Sequence, residues 1–295
     1  MIREAGRGTG EGDDGFEALT RKISQSRGFS CESYKEKCLR RRIAVRMRAR
    51  GVHTYADYAR LLDRDAREYQ ELLDVLTINV TKFFRNAETW DALRPYLVEL
   101  WAARGREGGP LRIWSAGCAS GEEPYTIAVL LAEVLGGDVD QSFIDATDID
   151  RLSLERTRQA RYAETAFSEM PVHLKRRYFV DGQPVARISE LVRVLPHDLT
   201  REPPPRPAYD LIACRNVVIY FEREAQERLF ETLVTALAPG GVLLLGKVET
   251  LLGAAREQLT LRDPRERIYV KPIAKHSSPL SRMERGSGGE AGGEA

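Results

Sequence analysis

The chain has 295 residues, with 45 Lys and Arg against 44 Asp and Glu. A net charge of +1 supplies no global field for nucleic acid or an anionic membrane. Its 42% hydrophobic and 30% charged residues suit an ordinary globular protein long enough for two domains, and no apolar run nears the roughly 20 residues of a membrane span.

In chain order, residues 1–15 are rich in Gly, Glu and Asp, lack a hydrophobic signal region and read as disordered. Residues 16–90 carry helical periodicity. Leu39, Ile43 and Met47 recur at i, i+4 and i+8, and Tyr55, Tyr58, Leu61 and Leu62 form a stripe after Gly51. Leu72, Leu73, Val75 and Leu76 then lead into Thr77–Thr81. An all-α domain is predicted here, with residues 91–109 as a linker. Between Lys35 and Arg50 there are eight Lys and Arg against the single Glu36. Arg42, Arg46 and Arg50 are spaced four apart beside the apolar stripe. They predict a cationic ridge, which reads either as a solvated face or as a binding surface for an acidic partner, a protein helix or nucleic acid alike, since like charges so dense repel one another unless a partner offsets them.

From 110 to 272 strand and helix patterns alternate, which predicts a mostly parallel sheet flanked by helices. Strands are expected at Arg112–Ser115, Ser142–Thr147, Leu191–Leu195, Asp210–Cys214 and Val242–Gly246. Helices are expected at Tyr125–Leu135, Arg151–Ala160 and Arg223–Leu237, followed by a terminal hairpin, Gln258–Leu261 and Arg267–Val270. The turn Asp181-Gly182-Gln183-Pro184 marks residues 178–194 as a small β insertion. Residues 273–295, rich in Ser, Gly and Glu, read as a disordered tail.

The loop from Gly117 to Glu123 joins the first strand to its helix, where a nucleotide-type ligand meets bare backbone and a helix N-terminus. Glu122 and Glu123 would repel a pyrophosphate, whereas the amino group of S-adenosylmethionine fits the charge. The second strand ends in Asp148 and Asp150, suited to ribose hydroxyls. The third ends in Asp198, suited to an adenine amino group, and the fourth in Cys214-Arg215-Asn216. Each acid alone also reads as a helix cap or loop residue, most readily Asp150. The four cysteines, Cys31, Cys38, Cys118 and Cys214, form no CxxC pair and no zinc-like spacing, so reduced cytoplasmic thiols and no metal are expected.

Five motifs in order resemble the chemotaxis receptor methyltransferases, the CheR family, over roughly Leu19 to Lys271. They are Thr77-Ile78-Asn79-Val80-Thr81-Lys82-Phe83-Phe84-Arg85, Trp114-Ser115-Ala116-Gly117 running to Gly121-Glu122-Glu123-Pro124-Tyr125, Ala146-Thr147-Asp148-Ile149-Asp150, Cys214-Arg215-Asn216-Val217-Val218-Ile219-Tyr220-Phe221, and Pro239-Gly240-Gly241. The resemblance implies a Rossmann-like S-adenosylmethionine-dependent methyltransferase domain behind an all-α domain. It also implies protein-glutamate O-methylation, with S-adenosylhomocysteine as the product. Asn79, Thr81, Arg85, Gly117, Glu123, Asp148, Asp198, Leu199, Arg215 and Asn216 are implied cofactor contacts, and Arg85 and Tyr220 the groups beside the transferred methyl. The implied partner is the cytoplasmic helical region of a membrane chemoreceptor, met by a cytoplasmic monomer without nucleic acid or membrane insertion.

The chain departs from the family pattern in three places. Gly246-Lys247-Val248-Glu249 stands where members commonly carry a Gly-His-Ser-Glu-type sequence, and Asp198-Leu199 where an Asn-Leu pair is common. The turn at Asp181–Pro184 is short, which predicts an enzyme that works without tethering a receptor's C-terminal peptide. Two competing readings are a methyltransferase for RNA or a small molecule, and a non-catalytic cofactor-sensing or scaffold module. The intact Arg85 and Tyr220 speak against the second.

Overall fold

The computed structural model describes residues 10–27, 29–77, 81–107 and 109–273. The N-terminal part is helical: α1 (Gly10–Arg27), a 3-10 turn at Cys31–Ser33, α2 (Glu36–Ala49), α3 (Tyr55–Arg64) and α4 (Ala66–Leu76). The starts of α3 and α4 are set by side chains. Thr54 accepts from the Asp57 N–H, and Asp65 from those of Arg67 and Glu68. Leu19, Ile23, Ile43, Tyr58, Leu72 and Leu76 are fully buried between these helices. The first helix starts at Gly10, earlier than the boundary expected near residue 15. Its first turns are polar, whereas Phe16, Leu19 and Ile23 anchor the rest of it.

Residues 91–109 are not a linker. They continue α5 (Ala87–Glu107), whose Trp90, Leu93 and Leu97 form one buried stripe that a boundary at residue 90 cuts through. Pro95 lies inside this helix.

The remaining elements in chain order are β1 (Arg112–Ala116), α6 (Glu122–Leu135), β2 (Phe143–Asp148), α7 (Arg151–Gln159), α8 (Val172–Tyr178), β3 (Phe179–Val180), β4 (Gln183–Pro184), α9 (Ala186–Ser189), β5 (Val192–Pro196), β6 (Tyr209–Cys214), α10 (Arg223–Ala236), β7 (Leu237–Leu245), α11 (Ala255–Gln258), β8 (Thr260–Asp263) and β9 (Ile268–Val270). Seven strands form one sheet in the order β5-β2-β1-β6-β7-β9-β8, with the first five parallel and the terminal hairpin antiparallel. Its two faces are packed: α5 and α6 lie in the core on one side, α10 on the other. The chain reverses direction across the sheet between β1 and β6, so a crevice opens above their carboxyl ends.

The β insertion is smaller than expected. Only β3 and β4 stand apart, as a hairpin of two residues per strand. Residues 192–196 instead form the edge strand of the main sheet, with Ile144 opposite Val192. Phe179, Ile188 and Leu191 are buried in the core, which folds the segment against the sheet.

Candidate functional site

One cleft above the switch point is lined by residues from both parts of the chain. Its floor is the turn after β1. The Gly117 and Cys118 N–H groups both donate to the Thr147 carbonyl at 2.8 Å, which ties the turn to β2. Gly117 has φ +81°, and a Cβ there would lie 2.5 Å from Val217 Cγ2, so only backbone fits between turn and loop. Gly121 then opens α6 with φ +100°.

The two acids of this turn part company. Glu123 lines the cleft, accepts from Ser115 Oγ at 2.9 Å and lies 3.6 Å from Arg215 Nη1. Burial raises its pKa, against the pull of Arg215 and Ser115. Glu122 is buried too, but it accepts from Ser120 Oγ and stands outside the cleft.

Asp148, at the end of β2, accepts from the N–H groups of Ala119 and Asp150, both at 2.9 Å. Burial pushes its pKa up to about 6 despite those bonds. Asp150 is the N-cap of α7, accepting from Leu152 N–H and Ser153 Oγ, and does not line the cleft. Asp198 accepts from the Thr200 N–H and hydroxyl, which shapes the turn after β5, and lines the cleft with Leu199.

Thr81, Lys82 and Arg85 enter from the segment between the helical part and α5; Asn79 lies outside the described residues. Phe83 is seated among Tyr162, Phe167 and Phe179, stacking on Phe167 at 4.7 Å. Phe84 and Asn86 hold φ of +56° and +60°. The Phe84 N–H donates to Thr126 Oγ1, and the Arg85 carbonyl accepts from Trp90 Nε1 and Arg215 Nη2. The main chain at Phe84 and Arg85 is thus held by three side chains. Arg215 also lies 4.6 Å from the Trp90 ring, and its buried Nε has no partner among the described residues.

Beyond β6, Asn216 (φ +59°) turns the chain into a 3-10 turn, Val218–Tyr220, that brings Tyr220 to the cleft. The helical part clips this loop. Lys35 donates its N–H to the Tyr220 carbonyl at 2.9 Å and its Nζ to the Ile219 carbonyl at 2.8 Å, and the Glu222 N–H donates to Ser33 O. Tyr34 stacks on Phe29, meets the edge of Phe221 and lines the cleft. No local signal in the sequence places Tyr34 at the cleft, because Phe221, the partner that joins it to the cleft loop, lies more than a hundred residues away.

The cationic ridge is not a free surface. Arg42 is buried, donates to the Leu76 carbonyl and stands 4.7 Å from the Tyr220 ring. Arg46 pairs with Glu68 at 2.6 Å and Arg50 with Asp65 at 2.9 Å, acids that α4 and its cap present to α2. The outward cations of α2 are Lys37, Arg41 and Arg48.

This donor set fits S-adenosylmethionine. A bare-backbone turn lies at Gly117, a buried carboxylate at Glu123, a second at Asp148, and an unpaired buried donor on Arg215. Among the described residues no group of acids, histidines and cysteines could hold a metal ion. No described helix is long and apolar enough to cross a membrane.

Residues 79–266 match the CheR methyltransferase SAM binding domain, and residues 14–77 the CheR methyltransferase all-alpha domain. The chain is 34% identical to chemotaxis protein methyltransferase 2 of Pseudomonas aeruginosa, covering 81% of this chain and 88% of that one. It is 32% identical to the chemotaxis protein methyltransferase of Listeria innocua, over 80% and 90%. It is also 32% identical to an uncharacterized 104.1 kDa protein of Rhodobacter capsulatus, of which it spans 29%. A solved S-adenosylmethionine-dependent methyltransferase from Mesorhizobium loti aligns over 53% of this chain and 51% of its own, at 24% identity and a TM-score of 0.31. By both domain matches, the chain belongs to the CheR methyltransferase family.

Proposed function

We propose that this chain methylates glutamate side chains on the cytoplasmic helices of a chemoreceptor, using S-adenosylmethionine. The observation that carries the reading is the convergence of Arg85, from the segment before α5, and Tyr220, from the loop after β6, on the cleft that holds Glu123 and Asp148. When bound, S-adenosylmethionine supplies an electrophilic methyl group on a sulfonium. Glu123 would hold its amino group, Asp148 its ribose, Asp198 and Leu199 its adenine. Thr81, Gly117, Arg215 and Asn216 would line the rest, and Asn79 belongs to the same proposed set.

A glutamate side chain has a pKa near 4.3 and is already ionised at neutral pH, so no general base is needed. The displacement neutralises two charges, so orientation and removal of water carry the rate. Arg85 receives the incoming carboxylate by a charge-assisted fork, and Tyr220 donates one hydrogen bond that sets the angle of approach. With Arg42, Arg46 and Arg50 occupied internally, Lys37, Arg41 and Arg48 are the cations of α2 left to meet an acidic helix. The two-residue strands of the β3–β4 hairpin support a tether-independent enzyme.

The test is transfer of radiolabelled methyl from S-adenosylmethionine to a receptor cytoplasmic fragment. Label that mild base releases, and that Arg85→Ala reduces at least about a hundredfold, is the expected result. Cofactor binding without label on any receptor fragment would favour the scaffold reading. Measurable binding of a receptor-tail peptide would overturn the tether-independent reading.

A further inference from the structure

Glu249 stands after β7, outside the groups that line the cleft, and is 3% exposed. A buried carboxylate without an ion-pair partner among the described residues is costly unless its oxygens are filled. Here the main chain fills them. Oε2 accepts from the N–H groups of Gly246 at 2.7 Å and Asn216 at 2.9 Å, and Oε1 from those of Val218 at 2.9 Å and Ile219 at 3.3 Å. Three of the four donors belong to the loop that carries Asn216 and Tyr220.

The surroundings are shaped to admit this carboxylate. A Cβ at residue 246 would lie 2.7 Å from Oε2 and 2.9 Å from the Asn216 nitrogen, so the glycine there leaves the room it needs. On the opposite side Val217 presses on Gly117, the turn beneath the cleft. The Asn216–Tyr220 loop has little regular structure of its own: one left-handed residue and one 3-10 turn. It is therefore held by what grips it, namely Glu249 from beneath and Ser33–Lys35 of the helical part from outside.

We propose that Glu249 is a positioning residue for methyl transfer. By gathering the loop amides of Asn216, Val218 and Ile219 onto one carboxylate, it fixes the height and rotation of Tyr220 relative to Gly117. This assignment rests on the reading of the site as a methyltransferase, and it adds to that reading a residue that touches neither cofactor nor acceptor. Asn216 N–H, Val218 N–H and Ile219 N–H have no comparable acceptor if the carboxylate is lost, and a displacement of about 1 Å at a reacting group costs on the order of a hundredfold in rate.

The experiment uses the full chain with Glu249→Gln and Glu249→Asp. Hydrogen exchange of residues 215–221 is followed, together with methyl transfer to a receptor fragment and a double-mutant cycle with Tyr220→Phe. Expected for Glu249→Gln are a cooperative melt and exchange in 215–221 faster by about tenfold or more, with α6 and α10 unchanged. The turnover number should fall by about thirtyfold or more, while the KM for the cofactor moves by less than about threefold. Tyr220→Phe should then add less than about threefold in the Glu249→Gln background, although it costs more alone.

Unchanged exchange overturns the proposal, as do fully additive losses. Failure of both variants to fold also overturns it, because Glu249 would then be a fold residue only. If the wild-type chain transfers no methyl while exchange still responds to Glu249→Gln, the loop anchor stands and the proposed reaction falls.

Discussion

At the scale of single residues, the cleft concentrates acids whose burial works against their charge. Asp148 is the clearest, with a pKa pushed up to about 6. In its proposed role as ribose ligand, an ionised Asp148 would accept from the hydroxyls on both oxygens, and a protonated one on fewer. Cofactor affinity is therefore expected to be level above pH 7 and to fall by roughly tenfold per pH unit below 6. Calorimetric titration with S-adenosylhomocysteine between pH 5 and 8 checks this, and proton release on binding near pH 6 is the accompanying sign. The effect on stability runs the other way. The folded carboxyl binds its proton more tightly than the unfolded one, whose pKa is near 3.9. Its burial thus costs stability above pH 6, and the cost disappears as pH falls toward 4. Gly117 gives a second expectation. Gly117→Ala puts a Cβ against Val217 at a left-handed position, and should weaken cofactor binding by about tenfold or more, with a stability loss of roughly 1–2 kcal/mol.

At the scale of elements, α2 shows how a pattern misleads when its partners are distant in sequence. Counted along the chain, Arg42, Arg46 and Arg50 have only Glu36, six residues before them, to offset them; counted in space, Glu68, Glu71 and Asp65 neutralise two of the three. Glu68 also accepts from Tyr58 Oη at 2.6 Å and is 1% exposed, so it closes a seam between α2, α3 and α4. Glu68→Ala should cost about 3 kcal/mol and lower the melting temperature of the chain, because it strands a cation and a phenol. Arg41→Ala, on the outward side, should change stability by less than about 0.5 kcal/mol. Measured against a receptor fragment, the same substitution is expected to raise the KM for the acceptor. The strands and the α6, α7 and α10 helices were legible because their apolar runs are bounded by turn residues. The α5 helix was not, since Pro95 and Gly105 look like breaks while its anchors Trp90, Leu93 and Leu97 straddle the supposed boundary.

At the scale of the whole molecule, ten of the eleven residues expected to meet cofactor or methyl line one cleft, and the eleventh, Asn79, is outside the described residues. Motif order made that much readable. Tyr34 was not readable as part of the site, and Glu249 was readable only as the end of the Gly246–Glu249 motif and not by what it holds, because both meet loop residues that the sequence does not place beside them. Since Tyr34 comes from the helical part and Glu123 from the sheet part, a ligand in the cleft should stabilise both together. S-adenosylhomocysteine at about a hundred times its Kd should add roughly 2.7 kcal/mol and keep unfolding in a single transition. A separate early melt of the helices, unaffected by ligand, would contradict this. The small hairpin carries a lesson for anyone who would remodel the enzyme. Its turn is strapped to Tyr162, whose N–H donates to the Gly182 carbonyl at 2.9 Å, and a Cβ on Gly182 would strike the Tyr162 carbonyl at 2.4 Å. Its Phe179 props Phe83, two residues before Arg85. Grafting a longer clamp onto this hairpin would therefore be an operation on the foundation of Arg85, the arginine proposed to receive the acceptor, and a graft that spares Phe179 and Gly182 is the one that should leave turnover intact.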